Sequence, residues 1–158
     1  MAGVRASGPF PALALPDLEG VPRPLAEAWA DGEALVLVGH RDCRTTRDTL
    51  PLLDRIDRRR GTGTTVLLVL QDDVEAARGL VADLGLGLPV RLDLDPYRLA
   101  QAVGLAVVPT LFLIEAGGAI TRVSEGLRRS DLEALAQSVG VTGPLWAPED
   151  EVPPLRPG

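Results

Sequence analysis

The stretch Ala34-Leu35-Val36-Leu37-Val38-Gly39-His40-Arg41-Asp42-Cys43-Arg44-Thr45-Thr46-Arg47 decides the fold. Its first six residues are a continuous apolar run of strand length, the pattern of a central strand buried on both faces. A helical pattern follows, in which Leu50, Leu53 and Ile56 recur on one face and Asp54, Asp57 and Arg58, Arg59 and Arg60 are assigned to the other. The helix is predicted to start near Asp42 or Cys43 and to end at Gly61. Pro51 inside it removes a backbone N–H, and a kink is expected there.

Upstream, Leu13 and Leu15 alternate with smaller residues and Asp17-Leu18-Glu19-Gly20 reads as a turn, so a small N-terminal β-hairpin is expected. Leu25 to Trp29 suits one or two helical turns. Downstream, Thr64 to Leu70 reads as a second buried strand, and Asp72 or Asp73 as the cap of a helix running to Leu84 and closed by Gly85. Leu88 to Leu92 is a short strand, Pro96 to Val103 a helix ended by Gly104, and Thr110 to Ile114 a further apolar strand. Gly117-Gly118 forms the turn into Ala119–Ser124. Ser130 is expected to cap a last helix that turns Leu132, Leu135 and Val139 inward. Parallel crossovers followed by a late hairpin define an α/β domain whose mixed central sheet carries helices on both faces. Residues 1–140 form this domain. Residues 141–158 are a Pro-rich acidic tail, anchored by Leu145 and Trp146 and otherwise extended over the surface or mobile.

The chain has 158 residues, and 16 basic against 22 acidic ones give a net charge of -6. That balance argues against a nucleic-acid partner, which calls for a basic stripe. Every basic residue apart from His40 is an arginine, so no lysine is present for Schiff-base chemistry. No segment reaches the ~20 apolar residues of a membrane span, and the N-terminus lacks the apolar centre of a signal peptide. A cytoplasmic protein, monomeric or homodimeric, is expected. Cys43 is the only cysteine, which excludes an internal disulfide. His40 and Cys43 are too few for a zinc site of the usual kind, so no metal is expected. No Gly-rich phosphate loop follows a strand, and no organic cofactor is expected.

This order of elements, with a cysteine at the tip of the first long helix, resembles the thioredoxin superfamily, and most closely its TlpA-like and peroxiredoxin-like redoxins. Three segments between Phe10 and Val139 carry the likeness. Phe10-Pro11-Ala12-Leu13-Ala14-Leu15-Pro16-Asp17-Leu18-Glu19-Gly20 is similar to the N-terminal hairpin of those redoxins. Cys43 occupies the first position of the family's Cys-x-x-Cys, with Arg47 and Pro51 where the family usually has Arg and Pro. Val107-Val108-Pro109-Thr110-Leu111-Phe112-Leu113-Ile114 looks like the family's cis-proline loop and following strand. The resemblance implies a thioredoxin-like fold in which Val108–Pro109 sits opposite Cys43, with Val108 supplying a backbone contact to substrate and Thr110 lining the groove.

The motif departs from the family at its second cysteine, replaced by Thr46, and Asp42 stands where an aromatic residue is usual. A dithiol cycle needs a second thiol to resolve its mixed disulfide. None exists in the chain, so any cycle requires an external thiol or a protein disulfide partner. The peroxiredoxin signature Pro-x-x-x-Thr-x-x-Cys is not met either, because Val36 and His40 stand at its Pro and Thr positions. At a helix N-terminus the unpaired amides and the macrodipole favour a thiolate. Arg41, Arg44, Arg47 and His40 push the same way, whereas Asp42 and Asp48 oppose them. The Thr46 hydroxyl is within reach to donate to a thiolate. Cys43, Thr46, Arg44 and His40 are therefore the candidate catalytic residues, the histidine as a general base or a thiol-tuning group. The alternative is that Cys43 is a small buried hydrophobe, Thr46 part of the first helical turn and His40 a packed or backbone-bonded strand-end residue. Two functions remain open: a single-cysteine redoxin performing thiol–disulfide exchange or peroxide reduction, and a catalytically inactive thioredoxin-fold binding or scaffold protein.

Overall fold

In the computed structural model, which describes residues 3–147, 150 and 152–158 (leaving Pro148 of the tail outside), the apolar run Ala34–Gly39 forms strand β3. All six of its residues are buried, because sheet neighbours flank it on both edges and apolar layers cover both faces. The hairpin strands β1 (Ala14–Pro16) and β2 (Pro22–Pro24) precede it, with a 3-10 helix at Leu25–Trp29. Helix α1 (Arg44–Arg59), β4 (Thr65–Leu70), α2 (Val74–Leu84), β5 (Val90–Leu92) and α3 (Arg98–Val103) follow. Then come β6 (Thr110–Ile114), β7 (Ile120–Glu125), β8 (Leu127–Arg128), α4 (Arg129–Ser138) and β9 (Leu155–Arg156).

Among the described residues the main sheet has the order β5-β4-β3-β6-β7. β3 runs parallel to β4, in register Leu35↔Val66, and antiparallel to β6, in register Val36↔Phe112. The side-chain alternation of the strands divides the core in two. Leu35, Leu37, Val66, Leu68 and Leu111 meet α1, α2 and α4 through Leu50, Leu53, Leu80 and Leu135. Val36, Val38, Leu67, Val69 and Phe112 meet the 3-10 helix, α3 and the N-terminal segment through Trp29, Leu99, Val103 and Phe10. Phe10 packs edge-on against both Trp29 and Phe112, at centroid distances of 5.5 and 5.1 Å. This is the mixed sheet with helices on both faces and an N-terminal hairpin that the pattern implies. Among the described residues no helix is long and apolar enough to cross a membrane.

Several local readings need correction. Asp54 does not lie on the solvent face of α1 but is buried: its Oδ1 accepts the Gly87 N–H at 2.8 Å and its Oδ2 pairs with Arg58. Ser130 is not the cap of α4. Arg128 precedes the first turn and still pairs with Leu155 in the β8–β9 ladder, so the helix begins one residue before the serine. α3 starts at Arg98, because Tyr97 adopts a left-handed conformation (φ 59°) and buried Asp93 takes the amides of Leu99 and Ala100. α1 ends at Arg59, short of Gly61, with Pro51 inside it. Leu145 is buried and Trp146 packs on the same core, under the Arg129 guanidinium at 5.0 Å. The far end of the tail runs extended, and Leu155–Arg156 pairs with β8 as a two-residue ladder.

The hairpin turn hangs on one carboxylate. Asp17 accepts the Glu19 and Val21 amides, each at 2.9 Å, and the Arg23 Nε at 3.0 Å. The Val21 amide above all, with Arg23 and Glu19 behind it, holds the carboxyl below its ordinary value against the opposing effect of burial. A folded-state value below the unfolded one means stabilisation that is present above the unfolded carboxylate pKa of about 3.9 and lost as pH falls through the lower folded value. Asp17→Asn is expected to remove this acid-side component, giving an unfolding curve less steep in pH below about 4. Urea midpoints measured across that range check it, and an unchanged pH slope would contradict the assignment.

Candidate functional site

Parallel neighbours β3 and β4 end on the same edge of the sheet, and the segments leaving them converge there. The Gln71 amide donates to Gly39 O at 3.0 Å, which ties the two strand ends. Just beyond, Asp72 is buried, with Oδ2 accepting the Arg41 N–H at 2.9 Å and Oδ1 lying 3.4 Å from His40 Nε2. His40 Nδ1 accepts the Asp42 N–H at 3.1 Å. Nδ1 is the acceptor in that contact, and Nε2 is the ring nitrogen that lies beside Asp72. The Nδ1 contact braces the turn, and the two hydrogen bonds of the Cys43 sulfur are made to other groups. Cys43 N–H closes that turn onto His40 O at 3.1 Å.

Cys43 is the N-cap of α1, with extended backbone (φ -88°, ψ 117°). Its half-buried Sγ accepts the Thr46 N–H at 3.4 Å and donates to Val108 O at 3.3 Å. A free helix-terminal amide and a backbone carbonyl from sixty-five positions along the chain thus meet at one sulfur. The Thr46 contact comes from its amide and not from its hydroxyl. Thr46 is fully buried, and its Oγ1 lies 3.5 Å from the His40 N–H. Arg44 points to solvent, with a side chain 86% exposed and 3.8 Å from Asp48, and it has no contact with the sulfur.

The Val108–Pro109 peptide is cis. Pro109 is buried, and its carbonyl accepts the Gly126 N–H at 2.8 Å, which fastens the loop to the end of β7. Thr110 does not line the groove: it is fully buried and turns its hydroxyl back onto Val107 O at 2.8 Å, bracing the loop from within. Outside the loop lies an open groove of about 650 Å³, lined by Gln71, Tyr97, Gln101, Leu105, Val107 and Val108. The structure therefore brings together Cys43, Thr46, Val108 and Pro109, places His40 in the supporting turn, and leaves Arg44 outside. Asp72, read from the sequence only as a possible helix cap, escaped as a residue of the site. The parallel β3–β4 pairing was the available signal for Asp72, since it puts the first residues after β4 beside those after β3. Among the described residues, no group of three or more His, Cys, Asp or Glu side chains is placed to hold a metal ion.

Gly39 sets the approach of helix to strand. A Cβ there would lie 2.6 Å from Thr46 Cγ2 and 3.1 Å from Thr46 Oγ1. Gly39→Ala should therefore cost about 1–3 kcal/mol by overpacking. Adding Thr46→Ser, which deletes the colliding methyl, should recover part of that loss. Urea unfolding of the two single variants and the double variant checks this, and strictly additive effects would contradict the contact.

Neither a family profile nor any curated protein sequence matches the chain. Solved structures do. A Chlorobium tepidum protein assigned as the thiol:disulfide interchange protein DsbE superposes with a TM-score of 0.75 at 22% identity, covering 87% of this chain and 96% of its own. The thioredoxin domain of a Bacteroides vulgatus thiol-disulfide oxidoreductase gives 0.72 at 21%, covering 89% and 99%. The Mycobacterium tuberculosis peroxidoxin BcpB gives 0.71 at 13%, covering 86% and 98%. The fold is thioredoxin-like, and proteins named as thiol-disulfide oxidoreductases and as a peroxidoxin share it.

Proposed function

We propose that the chain is a single-cysteine thiol oxidoreductase, acting by thiol–disulfide exchange with an external thiol as the resolving partner. The observation that supports this most is the position of Cys43 Sγ: half-exposed, at the N-terminus of a long helix, between one amide donor and one carbonyl acceptor. Loss of the thiol proton frees Val108 O and strengthens the Thr46 N–H contact, since a charged acceptor binds a donor about twice as strongly as a neutral one. The thiolate attacks one sulfur of a disulfide, the S–S bond breaks, and the second sulfur departs as a thiolate that takes up a proton. An external thiol then attacks the mixed disulfide and releases the first sulfur of the substrate. A second external thiol regenerates Cys43 and leaves as a disulfide. Two thiols are oxidised and one disulfide is reduced.

A hydroperoxide would enter the same cycle: the thiolate takes its terminal oxygen, the O–O bond breaks, and the alcohol or water leaves. Thiol–disulfide exchange is the preferred reading, because the peroxiredoxin threonine position is His40, whose ring is committed to Asp42 and Asp72. The supporting roles follow from the geometry. Thr46 holds the sulfur through its amide, the carbonyl of Val108, before the cis bond to Pro109, accepts from it directly, and His40 with Asp72 fixes the turn. The work is assigned to a reducing, cytoplasmic setting, where free thiols resolve the intermediate. The second reading, a binding module without catalysis, is favoured by the missing second thiol alone.

Turnover of a small disulfide with excess external thiol separates the two readings. Cys43→Ser is expected to abolish it to the uncatalysed background, whereas His40→Ala should retain most of it. No difference between the native chain and Cys43→Ser would contradict catalysis and support the binding reading.

A further inference from the structure

The last residues of the chain return to the site. Val152 packs on the core, and Leu155–Arg156 pairs with Leu127–Arg128. Pro157 O then accepts the Thr45 hydroxyl at 2.7 Å, while Arg156 forms an ion pair with Asp48. Gly158 reaches the Pro109 loop so closely that a Cβ there would lie 2.3 Å from Val108 O. A side chain on Gly126 would likewise strike Arg156 O at 2.7 Å, so the segment is seated against backbone on two sides. It thus touches the helix turn two residues beyond Cys43 and the very carbonyl that accepts Sγ–H.

Its hold is slight. The ladder is two residues long, Leu155 is 50% exposed, and a polar cleft of about 280 Å³ lies beneath it between Arg44, Asp48, Leu52 and Val152. A short ladder of exposed backbone bonds with few buried apolar contacts opens locally at low cost.

We propose that residues 152–158 are a size gate on Cys43. Docked, the strap fills the side of the site between the first turn of α1 and Val108, leaving Sγ open to small disulfides and closed to the surface of a folded protein. Released, it admits both. This specificity device rests on the reading of Cys43 as the reacting group.

Two probes that release the same thionitrobenzoate anion test it. One is the symmetrical disulfide of thionitrobenzoate. The other is a small folded protein whose single surface cysteine carries thionitrobenzoate as a mixed disulfide. In each, Cys43 forms a new S–S bond and the coloured thiolate leaves. The reaction with the large probe tracks the open fraction of the strap. Thr45→Val with Arg156→Ala removes one hydrogen bond and one ion pair, enough to raise that fraction by about tenfold. The expected result is a large-probe rate up by about that factor, with the small-probe rate changed less than about twofold. Arg156→Ala alone, at the surface, should move the large-probe rate in the same direction if the double variant fails to fold.

Equal acceleration of both probes, or of neither, would overturn the gate while leaving a reactive Cys43 intact. Failure of both probes on the native and released chains, with both reacting after unfolding, would overturn the reactive thiol and the gate together.

Discussion

The site depends on the junction between the end of β3 and the start of α1. A strand buried along its whole length fixes where its last residue stands, and Gly39 there lets Thr46 approach within contact. From that fixed point only four residues lead to the first helical turn, and Cys43 falls at the N-cap, where amides have no intrahelical partner. The sulfur takes the place that Ser, Thr, Asp or Asn usually fills at such a position. It meets the Thr46 amide from its own helix and the Val108 carbonyl from across the sheet. The Val108 contact would not exist if β6 were not antiparallel to β3, because that pairing delivers the loop before β6 to the edge where β3 ends.

Around this junction the charges act as braces more than as catalysts. Asp72 is buried and spends one oxygen on the Arg41 amide, leaving the other for His40. The imidazole is held between Asp72 and the Asp42 amide, so the turn that presents Cys43 is closed from outside and beneath. Thr110, buried under the opposite loop, plays the matching part by bonding Val107 O. The exposed arginine nearest in sequence, Arg44, contributes to the field at the helix end without a directional contact. A single sulfur held by backbone groups, with no second thiol in the chain, fits a reaction whose remaining steps belong to a partner molecule.

Most of the architecture was legible because its signals are local. Apolar runs mark β3, β4 and β6, and Asp73 and Gly85 mark the ends of α2 as capping rules require. The misreadings arise where a distant segment competes. Asp54 looked like a solvent-facing helix residue until the loop at Gly87 supplied a buried amide to satisfy it. Ser130 lost its capping role because β9, twenty-five positions further on, keeps Arg128 in a ladder. Cys43, Thr46, Val108 and Pro109 could be picked out from their resemblance to a known motif. Asp72 required the parallel pairing of β3 and β4, and the strap on Thr45 has no sequence signal at all, since proline-rich composition does not say where a tail docks.

The central claim is that Cys43 is an activated thiol rather than a small packed hydrophobe. The rate of iodoacetamide alkylation at neutral pH, followed by intact mass spectrometry on native and urea-unfolded chain, tests it most directly. With one cysteine in the sequence, a single adduct reports a single site. The account predicts that the native chain is alkylated faster than the unfolded one, because Sγ stays half-exposed and the Thr46 amide at the end of α1 is directed at it. Slower alkylation in the native state would contradict it.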